Sequence, residues 1–255
     1  MFKTANSIFL PLSEFVFHPY GHVTPDYDGS DPWNTGENNG VSLGGESEGT
    51  LTIDSGSIVN SLYAGFWGSQ TNATATVTGP GSAWHITEGM HIGHAGTLII
   101  EDDGVVSVGG NTQVKYQGSL NFDGGTLNTT SLSANQDTIS GTGTINTNGL
   151  ASDIDLTINA ATGLQQQLML NNLPGQDITI NLDLSNPTSH GNLGTRGSSL
   201  LIADGQVVTS QQALIHGGPD GAGAATVIGA GTAWNMTSGL TVGDTGIGTL
   251  DIGNA

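Results

Sequence analysis

A chain of 255 residues with three cations (Lys3, Lys115 and Arg196), twenty-two carboxylates and no cysteine carries a formal net charge of -19. Gripping a phosphate backbone takes several Lys or Arg side chains to displace condensed counterions, so nucleic acid is excluded and an anionic membrane surface is disfavoured. Without thiols there is neither a disulfide framework nor a thiolate zinc site, and no apolar stretch reaches the length of a bilayer span.

Residues 1–40 read as an irregular capping segment. The apolar run Ile8 to Phe17 is interrupted by Pro11 and Glu14 and preceded only by Lys3, which fits a first coil or cap better than a signal peptide. Within the segment, Asp26, Asp28, Ser30 and Glu37 occupy positions 1, 3, 5 and 12 of an EF-like calcium loop. The sixth position, where the loop needs glycine for its sharp turn, holds Asp31 followed by Pro32, so an acidic surface loop without metal is expected.

Repeats begin at residue 41 and run to about 110. Short runs such as Thr50 to Ile53 and Ala73 to Val77 alternate apolar and small polar residues with period two, and glycines separate them, which is strand-and-turn patterning with no convincing helix. From Gly44 to Gly93 the motif steps by 49, and from the Gly-Thr-Leu at Gly49 to that at Gly96 by 47, a unit of just under fifty residues. Residues 111–195 carry weaker coils that read as a spacer. The pattern then returns over 196–255: Gly223 to Gly243 repeats Ala73 to Gly93 with ten of twenty-one residues identical. Upstream of it, Ile53, Gly56, Val59 and Ser61 align with Ile202, Gly205, Val208 and Ser210. A unit too small to bury its own apolar face must bury it against a neighbour, so such self-similarity marks a stacked array. The chain stops at Ala255 within a repeat whose other copies continue into Gly-x-Val-Val, and a longer array is expected.

The motif Gly-x-Gly-Ser/Thr-x-Trp stands at Gly79 to Trp84 and at Gly229 to Trp234, each followed by an apolar-x-apolar-Gly and a Gly-Thr-Leu. It resembles the autotransporter- and PEP-CTERM-associated repeat of exported bacterial proteins. That resemblance implies a surface or secreted passenger, outside the cell or on its outer face, with a β-solenoid fold and no assigned chemistry. The fold expected is all-β, a right-handed parallel β-helix. The alternative is a β-propeller, whose blades have a similar length but need an even period, whereas here the motif recurs after 49 residues and then only after another 150.

Candidate chemistry is sparse. Glu101, Asp102 and Asp103 with Ser189-His190-Gly191 would be the paired acids and histidine of a polysaccharide hydrolase. The acids, however, occupy the turn that elsewhere holds Asp54-Ser55 and Ala203-Asp204, so turn formation is the simpler reading. A lyase would want cations beside a uronate, and Arg196 stands alone. His91 and His94 lack a third metal ligand in the sequence. Trp33, Trp67, Trp84 and Trp234 would make a sugar-stacking set, although the shared repeat position of Trp84 and Trp234 points to packing at a coil corner. An ice-binding face built on Thr74, Thr76 and Thr78 would need the same array on every coil, and 225–228 keeps one threonine. The expectation is a structural or adhesive surface protein, without cofactor or catalytic site, whose partners are glycans or other matrix components; a carbohydrate-active enzyme or glycan-binding module is the alternative.

Overall fold

A computed structural model describes residues 40–44, 48–67, 72–218, 221–244 and 246–253, and the backbone of four two-residue strands at Ile8–Phe9, Glu14–Phe15, Val23–Thr24 and Trp33–Asn34. The remainder of the expected cap, with Asp26, Asp28, Ser30 and Glu37, lies outside the described residues. The fold is all-β, with one 3-10 turn at Gln136–Thr138 as its only helical element among the described residues. Met1–Thr129, Asp137–Ile145 and Leu170–Ile178 form one compact unit; Thr130–Gln136, Asn146–Met169 and Thr179–Ala255 form the other.

In the first unit the strands Gly49–Ile53, Ala73–Thr78 and Gly96–Glu101 pair in parallel, placing Leu51 beside Ala75 and Ala75 beside Leu98. A second file runs Ile58–Ser61, Ala83–Ile86 and Val105–Val114, and a third Val41–Leu43, Ala64–Phe66, Met90–Ile92 and the end of Val105–Val114. Each coil therefore carries three short strands, each paired in parallel with its counterpart on an adjoining coil. This is a β-solenoid, and the parallel ladders separate it from a propeller.

The steps from Leu51 to Ala75 and from Ala75 to Leu98 are 24 and 23 residues. The repeat of just under fifty residues thus spans two coils. A coil closes in half that length because period-two alternation sends every second side chain inward on each strand: Leu51, Ala75, Leu98 and Leu120 form one buried column, and Ile53, Val77, Ile100 and Phe122 the next. Each large aliphatic residue in such a column contributes about 1.5–3 kcal/mol of burial.

The second unit is built by the same rule. Leu156–Ile158, Ser199–Ile202, Gly223–Ile228 and Gly248–Gly253 form a parallel four-stranded sheet, while Val207–Ser210 pairs with Ala233–Met236 and Leu193–Arg196 with Ala213–His216. Ile158, Ile202, Val208 and Ile215 are fully buried.

Candidate functional site

The most conserved-looking motif within the chain turns out to be architecture. Gly79 and Gly81, like Gly229 and Gly231, hold the left-handed φ values of 89°, 86°, 104° and 79° that the corner demands. The hydroxyl that follows takes a backbone N–H from the turn of the preceding coil: Gly56 N donates to Ser82 Oγ at 3.0 Å, and Gly205 N to Thr232 Oγ1 at 2.9 Å. The indole then donates to a buried serine one coil back, Trp84 Nε1 to Ser61 Oγ at 3.0 Å and Trp234 Nε1 to Ser210 Oγ at 2.9 Å. Both tryptophans sit on strands, opposite Val59 and Val208, and not at the corner. They are spoken for. Trp67 differs, with 47% of its surface exposed; the side chain of Trp33 lies outside the described residues.

The acidic trio is likewise a turn. Asp102 and Asp103 have φ of 47° and 65°, Gly104 N donates to Glu101 O at 2.8 Å, and Asp102 N donates to Asp123 O in the next coil at 2.9 Å. These acids belong to the first compact unit; His190, in the segment between Asp177–Asp183 and Leu193–Arg196, belongs to the second. Arg196 donates from Nη1 to Ser133 Oγ at 3.4 Å. Threonines at 50, 74 and 97 do stand in register, and Thr97 Oγ1 lies 3.0 Å from Ser119 Oγ, but the neighbouring column of Thr52 and Thr76 ends at Ile99. In the second unit the corresponding strand puts Ala224 and Thr226 beside Ser199 and Leu201. The ladder is local.

What the first unit does assemble is a row of rings. Trp67 stacks on His91 with centroids 5.1 Å apart and planes 21° off parallel; His91 meets Tyr116 at 6.4 Å; Tyr116 stacks on His94 at 5.3 Å and 23°. The coils bring them together through register. His91 lies between Gly65 and Gln113 on the adjoining strands, and Ala95 N donates to Tyr116 O at 3.3 Å so that one corner sits on the next. Gly65 matters because a Cβ there would run into the Trp67 indole, which therefore lies down over the backbone. Gly93 does the same for His91, whose Cε1 is 2.6 Å from where a Cβ would stand. Tyr116 remains 66% exposed.

Two corners carry the row at a cost. His94 and Ala95 have φ of 52° and 60°, and Tyr116 and Gln117 have 51° and 67°, conformations in which bulky L-residues are outliers. Burial is the main influence lowering the pKa of His91, and the charges of Lys115 and His94 lower it further. Two carboxylates elsewhere are also shifted. Asp155 is lowered by the backbone and side-chain hydrogen bonds of Ser199, and Asp183 chiefly by the Ser185 hydroxyl. No group of three or more His, Asp or Glu side chains that could hold a metal ion occurs among the described residues.

The second unit provides an internal control. Ala213–His216 and Leu240–Val242 pair in the same register as Ala64–Phe66 and Met90–Ile92, so Leu214 stands for Gly65, His216 for Trp67 and Thr241 for His91. The parallel pairing forms there without a tryptophan–histidine stack at these two positions. Sequence reasoning singled out Trp67, His91 and His94 separately and missed Tyr116. Its signal is visible only with the half-length coil in hand: Lys115-Tyr116-Gln117-Gly118 then aligns with Gly93-His94-Ala95-Gly96. No family model matches the chain, and neither a curated protein nor a solved structure does.

Proposed function

We propose that this chain is a non-catalytic, adhesive repeat protein of a bacterial surface, and that it meets saccharides through Trp67, His91, Tyr116 and His94. One observation carries the reading: Trp67 and Tyr116 are exposed and stack on the half-buried His91 and His94, and the second unit pairs the matching strands with His216 and Thr241 where the first has Trp67 and His91. Aromatic rings offer large apolar faces with polar edges, which suits the CH-rich faces of pyranose rings. The likeness of the Gly-x-Gly-Ser/Thr-x-Trp motif to repeats of exported passengers supports a location outside the cell, and the turn geometry of Asp102 and Asp103 supports a structural role for those acids.

Isothermal titration of purified protein against a panel of oligosaccharides tests the reading. Binding is expected to fall about tenfold in Trp67→Ala and in Tyr116→Ala, the scale of one lost aromatic contact, with the melting transition retained. Absence of binding to every saccharide would refute glycan adhesion. Cleavage of pectin, alginate or β-glucan that disappears in Asp102→Asn would refute the non-catalytic assignment.

A further inference from the structure

The ring row coincides with one of the few places where this acidic chain gathers positive charge. Of its three cations, Lys115 directly precedes Tyr116, and His91 and His94 are two of its seven histidines. The fold places them side by side: Lys115 N donates to Ile92 O at 2.9 Å, next to His91, and His94 stacks on Tyr116. On the strands either side of His91, the facing residues Gly65 and Gln113 are uncharged, and the rings of Trp67 and Tyr116 adjoin its own. A neutral sugar would need the rings and some hydrogen-bonding groups, but no cation. An anionic one would be repelled by a chain of net charge -19 except where a cation and protonatable rings stand together.

We infer that the row selects acidic polysaccharides, stacking uronate-type sugars on Trp67 and Tyr116 and directing their carboxylates to Lys115 and to the His91 imidazole. The inference rests on the saccharide reading above and adds its ligand class. It also makes attachment sensitive to acidity. Burial, and after it the neighbouring charges of Lys115 and His94, lower the pKa of His91 and so disfavour its charged form. A bound carboxylate favours its protonated form, so by linkage acidification tightens binding to an anionic ligand and not to a neutral one. Nucleic acid also stacks on aromatic rings, yet it depends on several cations along its backbone and the whole chain has three.

The experiment compares an oligogalacturonate, a cello-oligosaccharide of the same length and a single-stranded oligouridylate, titrated at pH 5 and pH 8 into the wild-type chain and into Lys115→Gln and His91→Asn. Expected is tightest binding of the oligogalacturonate, strengthened roughly threefold or more at pH 5. Lys115→Gln should weaken it roughly two- to fivefold, the worth of an exposed ion pair, and leave the cello-oligosaccharide unchanged. NMR of the His91 ring should show its pKa rising on addition of the oligogalacturonate. Equal affinity for acidic and neutral sugars at both pH values would overturn the inference and leave the saccharide reading standing. Binding to neither sugar would overturn both. Tighter binding of the oligouridylate than of the oligogalacturonate would overturn the ligand class in favour of a nucleic acid.

Discussion

Single residues in this fold act across coils, and the tryptophan–serine pair is the clearest case. Trp84 is fully buried, so its indole N–H has no access to water and depends on Ser61 Oγ at 3.0 Å. Ser61→Ala should cost about 1–3 kcal/mol by stranding that donor, and adding Trp84→Phe should cost less than the sum of the two single changes, because the donor is then gone as well. Urea unfolding of the four variants measures this. A different dependence is expected at Asp155, which accepts from Ser199 N at 2.8 Å and Ser199 Oγ at 2.7 Å. Both bonds lower its pKa below that of the unfolded chain, so in the window beneath the usual carboxylate range the unfolded state binds more protons and stability rises with pH. The contribution is present above the unfolded value and is lost as pH falls through the lowered one. Asp155→Asn should flatten that acid limb of the melting temperature, by a small margin given how exposed the carboxylate is.

At the level of elements, corners decide where strain is held. The turns at Ser55-Gly56 and Asp204-Gly205 place glycine second, with φ of 80° and 76°, whereas Ala95 and Gln117 adopt φ of 60° and 67° with a side chain attached. A left-handed L-residue loses about 1–2 kcal/mol, more than the roughly 0.4–1 kcal/mol of added chain entropy that glycine brings to the unfolded state. Ala95→Gly and Gln117→Gly should therefore each raise the melting temperature slightly while saccharide affinity, which resides in the neighbouring rings, stays the same. Elements also show why the strands were legible and the site was not. Thr50 to Ile53 and Ala73 to Val77 declare their inward faces through period-two alternation, and Trp84 and Trp234 declare their equivalence through the motif around them. The ring row is assembled from Trp67, His91 and Tyr116 on successive coils, and its spacing follows the 22- to 26-residue coil, as in the pairs Met90–Thr112 and Ala64–Met90, which the longer sequence period conceals.

For the molecule as a whole, charge is the dominant unbalanced term. Twenty-two carboxylates face three permanent cations, so repulsion among acids outweighs attraction between opposite charges. Repulsion among exposed charges is felt over about 10 Å at 0.1 M salt and about 3 Å at 1 M. The unfolded chain holds the same charges farther apart, so screening relieves the folded state more and stability should climb with ionic strength. Sodium and calcium at matched ionic strength separate this general effect from a specific ion site. If screening is responsible, the two salts raise the melting temperature equally, and Asp26→Ala follows the wild type in both. A calcium-specific rise at sub-millimolar concentration that vanishes in Asp26→Ala would instead assign the carboxylates at Asp26, Asp28 and Glu37 to a binding loop, because only a ligand taken up by the folded chain stabilises by mass action at so low an ionic strength. The expected outcome is the general one. Asp31 and Pro32 deny the loop the glycine that would let its oxygens converge on one ion.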